Sequence, residues 1–128
     1  MGLEEKRAIK AAEDGWIKVR QAEVAELCGA SIPYAFDWPS FDLKSIQWLE
    51  HNGPHQVNVA LRQICRDELG REAVRAAVKQ IAFGCVARAE DKRVVLADGL
   101  LQIAGNYGLG IDGTVREAAI VAALLPQL

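Results

Sequence analysis

Nowhere does this 128-residue chain string together the ~18 apolar residues that a membrane-spanning helix needs, and its longest apolar run, Ala118 to Leu125, is far too short. The start, Met1-Gly2-Leu3-Glu4-Glu5-Lys6-Arg7, lacks the apolar centre of a signal peptide, so a cytoplasmic protein with no membrane partner is expected. Positive charge is not in excess. Fifteen Lys and Arg against 17 Asp and Glu leave a net charge of −2, with no overall field to gather phosphate or anionic lipid, and nucleic acid is not expected as a partner. Cysteine is scarce: Cys28, Cys65 and Cys85 are far apart, odd in number and set among aliphatic residues in helical patterns, where free thiols behave as small buried hydrophobes. No two fall within the C-x₂₋₄-C spacing of a zinc site, and Asn52-Gly53-Pro54 keeps His51 and His55 from sharing a helix face. No cofactor or structural metal is therefore expected.

What is present suits one globular domain spanning residues 1–128. Hydrophobic residues make up 51% and charged residues 25%, an ordinary balance, and a chain of this length buries enough surface for a core without metal or disulfide staples. No repeat or linker divides it.

Helical period dominates. Leu3 to Asp14 is rich in Glu, Lys and Ala and ends at Gly15, while Ile17, Val24, Leu27 and Cys28 fit one helical face that runs to Gly29. Ser40 or Asp42 can cap a helix carrying Leu43, Ile46 and Leu49, and a further helix carries Val57, Leu61, Ile64, Cys65 and Leu69 before closing at Gly70. From Gly70 to Tyr107 the steps Val74, Val78, Ile81, Cys85 and then Leu96, Leu100, Ile103, Tyr107 predict a helical hairpin. Thr114-Val115-Arg116-Glu117 has capping-box spacing and begins a last helix with almost no polar face, which should lie buried. The expected fold is all-α, an irregular single-domain bundle of five to seven helices with a buried C-terminal helix.

Between Pro33 and Pro39 the character changes, with Tyr34, Phe36 and Trp38 at alternate positions as in an extended segment. Together with Phe41 they are four of the eight aromatics in the protein. Such rings offer large contact area at little entropic cost, or they fold down as a lid on the core. Glu90, Asp91 and Asp98 form an acidic group that could bind a cation or complement a helix dipole. The Gly108 to Gly113 loop precedes a helix but lacks the Lys-Ser/Thr of a phosphate-binding loop.

Two local resemblances add expectations. Gln21 to Ser31, with its Ala-Glu-Leu-Cys-Gly sequence, resembles the first helix and turn of helix-turn-helix regulators, which implies DNA binding. The recognition helix would then run from Ile32 to Trp38, through Pro33 and without Lys or Arg. Ala87-Arg88-Ala89-Glu90-Asp91, Leu100-Leu101-Gln102-Ile103-Ala104 and Tyr107-Gly108-Leu109 make Ile81 to Leu109 similar to the core of tellurite-resistance TerB-like helical domains. That resemblance implies a helical bundle with an acidic, cation-attracting patch. Glu90-Asp91 stands where that family has Asp-Gly.

The functional expectation is a non-enzymatic interaction module that uses Tyr34, Phe36, Trp38 and Phe41, joined by Trp16 and Trp48, to hold a protein or a small apolar ligand. The alternatives are a small-molecule-binding protein or enzyme with a pocket lined by those aromatics, and, third, a helix-turn-helix-like DNA-binding protein.

Overall fold

The computed structural model describes residues 1–128 and shows an α/β fold in which helices pack on one face of a four-stranded mixed sheet. Six α-helices, α1 (Leu3–Asp14), α2 (Trp16–Cys28), α3 (Leu43–Asn52), α4 (Pro54–Ile64), α5 (Glu68–Ala77) and α6 (Glu117–Leu124), and four strands, β1 (Tyr34–Phe36), β2 (Gln80–Cys85), β3 (Arg93–Ala97) and β4 (Leu100–Gly105), follow in the order α1-α2-β1-α3-α4-α5-β2-β3-β4-α6. The strand order is β1-β2-β4-β3, with β1, β2 and β4 parallel and β3 antiparallel to β4. The all-α expectation is thereby overturned, and with it the helical-bundle architecture and the helical hairpin from Gly70 to Tyr107.

The cause is a coincidence of periods. Leu96, Leu100, Ile103 and Tyr107 step as a helix would, but Asp98-Gly99 between them is a two-residue hairpin turn with both φ angles positive, 52° and 80°. That turn pairs Leu96 with Leu101 and Val94 with Ile103, so alternate residues of β3 and β4 face the core. In β2 the same alternation buries Ile81 and Phe83 and turns Ala82 and Gly84 outward. Val78, the expected continuation of a helix, instead ends α5 in extended conformation (φ −113°, ψ 114°). Ile81 to Leu109, the segment similar to TerB-like domains, accordingly holds three strands and 3₁₀ turns in place of a helix pair.

Parallel sheets ordinarily have both faces covered. Here the outward face is built of Ala35, Ala82, Gly84, Gln102 and Ala104, none of them buried, and the helices all serve the inward face. One contiguous core joins Tyr34, Ile81, Phe83, Leu101 and Ile103 from the sheet to Val24, Leu49, Leu61, Val74 and Ile120 from the helices.

α1 and α2 follow the sequence pattern, and Gly29 closes α2 in the left-handed region (φ 76°). Gly70 does not close α4. That helix stops at Ile64, and Gly70 sits in the first turn of α5, its amide on the Asp67 carboxylate at 2.8 Å and its Cα so close to the Ile64 carbonyl that a Cβ would collide with backbone. Asp42, rather than Ser40, caps α3: its carboxylate accepts from the Ser45 amide at 2.8 Å while the Ser45 hydroxyl accepts from the Asp42 amide at 2.9 Å.

α6 departs most from expectation. Only Ile120 and Leu124 are buried, while Ala118, Ala119, Ala122 and Leu125 face solvent, so the helix lies on the surface. The capping box does not form. Thr114 Oγ1 donates to the Gly110 carbonyl at 2.7 Å, and Gln56 Oε1 of α4 accepts from the Glu117 amide at 3.2 Å in its stead. No helix is long and apolar enough to cross a membrane.

Candidate functional site

The aromatic residues divide into a ladder that serves the core and one exposed ring. In the ladder Phe36 is the hub, stacked on Trp38 at 4.7 Å and on Phe83 at 5.3 Å, with Trp16 edge-on at 6.1 Å and Tyr34 at 6.0 Å. Trp38 leans on Phe41 at 5.4 Å, and Phe41 stacks on Tyr107 at 5.7 Å. Tyr34 and Phe41 are buried, while Trp16, Phe36 and Trp38 are half-buried. The alternation expected of 34 and 36 holds through β1. Trp38 begins a 3₁₀ turn, Trp38–Ser40, that folds its ring back over Phe36.

A polar network anchors this ladder to the helices. The Tyr34 hydroxyl donates to Asn58 Oδ1 at 2.7 Å, and Asn58 Nδ2 donates to the Arg20 carbonyl at 3.1 Å and to Glu23 Oε1 at 2.8 Å. The Asn58 amide, followed by Arg20, holds the Glu23 carboxyl below its ordinary range, whereas burial pushes the Tyr34 phenol up. Gln21 Oε1 accepts from the Tyr34 amide, which closes the outer edge of β1 at that residue to further strand pairing. The stretch that would be the recognition helix of a helix-turn-helix protein is thus an edge strand plugged into the core.

Trp48 belongs to no ring pair. It stands on α3, 54% exposed, over an open cleft of about 340 Å³ lined also by His51, Asn52, Gln56, Ile111 and Arg116. Ile111, 65% exposed, and Leu109, 48% exposed, extend the apolar surface along the 3₁₀ segment Tyr107–Gly113, which packs on α3. Asn52 Nδ2 donates to the Tyr107 carbonyl at 2.9 Å and fixes that segment to the end of α3. Arg116 supplies positive charge, its Nε also 3.7 Å from the adjacent Glu117 carboxylate, and no carboxylate lines the cleft. His51 and His55 lie on different helices, as the Asn-Gly-Pro break between them implies, yet their rings stack at 5.3 Å and only 10° from parallel because α4 starts directly after α3.

A second cleft, of about 400 Å³, lies past the carboxyl ends of β2 and β4 and is lined by Ser40, Phe41, Asp42, Cys85 and Asn106 among others. Cys85 is at a strand end, not on the helical stripe expected of it, and burial raises its thiol pKa, which disfavours the thiolate a nucleophile needs.

The acidic candidates do not converge. Glu90 and Asp91 both pair with Arg88, at 3.3 and 3.2 Å, in the turn before β3, whereas Asp98 occupies the hairpin turn beyond its far end. No group of three or more His, Cys, Asp or Glu side chains is placed to hold a metal ion.

Sequence reasoning missed the apolar surface around Trp48. Leu109 and Ile111 lie in a glycine-rich stretch whose signal is a turn, and a turn carries no period from which exposure can be read. No protein-family model matches the chain, and no curated protein or solved structure matches it either.

Proposed function

We propose that this chain is a non-enzymatic interaction module that docks a protein partner at Trp48, the partner presenting a segment with a bulky apolar side chain beside a carboxylate. The observation that carries this is Trp48 itself, an indole more than half exposed that lines a cleft together with exposed Ile111. Trp and Arg are the side chains that most often dominate interface energies, and both Trp48 and Arg116 line this cleft. An apolar side chain would cover Trp48 and Ile111, and a carboxylate would meet Arg116 in a cleft that has no carboxylate of its own. The half-buried rings Trp16 and Trp38 pack on Phe36 of β1, a structural duty compatible with a second contact area on their exposed edges.

Selection of peptides from a displayed random library against the purified chain tests this. Enriched peptides should carry an aromatic or aliphatic residue next to Asp or Glu, and Trp48→Ala and Arg116→Ala should each weaken them by about tenfold or more without changing the melting temperature. Enriched peptides that bind Trp48→Ala as well as wild type would end the proposal.

A small-molecule pocket is the second reading. It is supported by the cleft past the carboxyl ends of parallel strands β2 and β4, the place where open α/β sheets commonly hold ligands. Thermal-shift screening against metabolites would favour it if a hit lost its shift on Asn106→Ala and kept it on Trp48→Ala.

A further inference from the structure

The fold brings together two cysteines that lie 37 positions apart in the chain. Cys28 is the last residue of α2, Cys65 follows the last residue of α4, and their Sγ atoms are 3.5 Å apart with both side chains buried. We propose that Cys28 and Cys65 form an oxidative modification site, at which a hydroperoxide converts the two thiols into an intramolecular disulfide that staples the C-terminal ends of α2 and α4.

The geometry is close to what a disulfide requires. An S–S bond is about 2.05 Å long, so the sulfurs must approach by about 1.5 Å. Both cysteines sit where helical hydrogen bonding ends. Cys28 is followed by Gly29 in the left-handed region, and Cys65 has left helical dihedrals (φ −88°, ψ 21°). Cys85 is elsewhere, at the end of β2, with its Sγ 3.8 Å from the Val86 carbonyl.

The surroundings set which sulfur reacts first. From α5, Arg71 donates to the Cys65 carbonyl at 3.2 Å and Arg75 to the Cys28 carbonyl at 2.9 Å, and Glu68 holds both guanidinium groups, at 3.0 and 2.8 Å. Burial raises both thiols. Cys28 is pushed up to about 12, by burial first and the neighbouring sulfur next, while the Cys28 S–H and both guanidinium groups favour the Cys65 thiolate. Cys65, 4% exposed against 0% for Cys28, is the sulfur that a peroxide reaches first, and it makes the first attack. Its sulfur bonds to one peroxide oxygen as the O–O bond breaks, and the departing oxygen takes up the thiol proton to leave as an alcohol, or as water from hydrogen peroxide. Cys28 sulfur then attacks the Cys65 sulfenic acid. The S–S bond forms, the S–O bond breaks, and hydroxide leaves with the Cys28 proton as water. Two thiols are oxidised by two electrons in total and one peroxide is reduced. Because burial opposes thiolate formation, the reaction is slow beside that of a peroxide-consuming enzyme, and the product is a structural cross-link.

The test is hydrogen peroxide treatment of the purified full chain in native buffer, followed by thiol blocking and mass spectrometry. The expected product has lost about 2 Da, retains one titratable thiol, yields a tryptic peptide 21–44 joined to 63–66, and reverts with dithiothreitol. Its melting temperature should rise, since the bond closes a long loop in the unfolded chain. Cys85→Ser should leave the cross-link intact, and Cys28→Ser, checked for folding by circular dichroism, should abolish it. Three free thiols surviving an exposure that fully oxidises a urea-denatured control would overturn the proposal, as would oxidation of Cys85 alone.

Discussion

Asn58→Ala tests whether the buried polar network, more than the apolar contacts around it, ties β1 to the helices. Asn58 is 1% exposed, so nothing but protein can satisfy its neighbours. The substitution removes the bond from the Tyr34 hydroxyl at 2.7 Å and the bonds to the Arg20 carbonyl at 3.1 Å and to Glu23 at 2.8 Å. Two neutral bonds contribute about 1 kcal/mol each and the bond to a carboxylate about 1.5–3. The Tyr34 hydroxyl retains a weaker bond to the Arg20 carbonyl at 3.3 Å, which returns part of this and leaves an expected loss of about 3–4 kcal/mol. Urea unfolding followed by tryptophan fluorescence and circular dichroism reads it, and the m-value should not change.

The acid limb gives an independent readout. The folded pKa of Glu23 lies below its ordinary 4.5, so its contribution is fully present above that pH and is lost as pH falls through the lower folded value. Because the Asn58 amide is the largest cause of that depression, the gap between wild type and variant should narrow as pH falls. A loss under about 1 kcal/mol at neutral pH, or a gap that does not narrow in acid, would refute the account of the network.

Trp38→Ala removes a half-buried indole stacked on Phe36 and leaning on Phe41; it should cost about 2–3 kcal/mol in urea unfolding, less than a fully buried Trp and more than a surface one. Gly70→Ala should lower stability by more than about 2 kcal/mol, since the added Cβ meets the Ile64 carbonyl and no side chain can move to relieve it; a Tm within error of wild type would contradict that contact. Gly84→Ala, where a Cβ meets nothing within 4 Å on the outward sheet face, should be neutral or stabilising in the same assay. In native labelling with a bulky maleimide under reducing conditions, a reagent too large for the buried pair that a small peroxide reaches, Cys85, half-buried, should react before Cys28 and Cys65, with all three reacting at once in urea.

Local chemistry was legible in the chain. The composition of Leu3 to Asp14, the stripe Ile17, Val24, Cys28 with Gly29 behind it, the Asp42 cap and the extended Tyr34-Ala35-Phe36 all describe interactions within a few residues, and they appear as α1, α2, the start of α3 and β1. The hairpin β3–β4 was also written locally, in Asp98-Gly99 between Val-Val-Leu-Ala and Leu-Leu-Gln-Ile, but a helical period of apolar residues overlay the strand period and masked it. Tertiary packing decided the rest, because it depends on partners distant in the chain. β2 is a strand because β1 and β4 lie on either side to take its hydrogen bonds. α6 is apolar nearly all round, yet it caps the surface with Gln56 at its first amide, since the space between sheet and helices is already filled by Tyr107, Phe83 and Leu49. Trp48 carries the same indole as Trp38. One is exposed over a cleft and the other folded onto Phe36, a difference set by which face of α3 meets the core and by a 3₁₀ turn after β1. Cys28 and Cys65 meet because α2 and α4 pack side by side, and proximity across 37 positions leaves no trace in spacing.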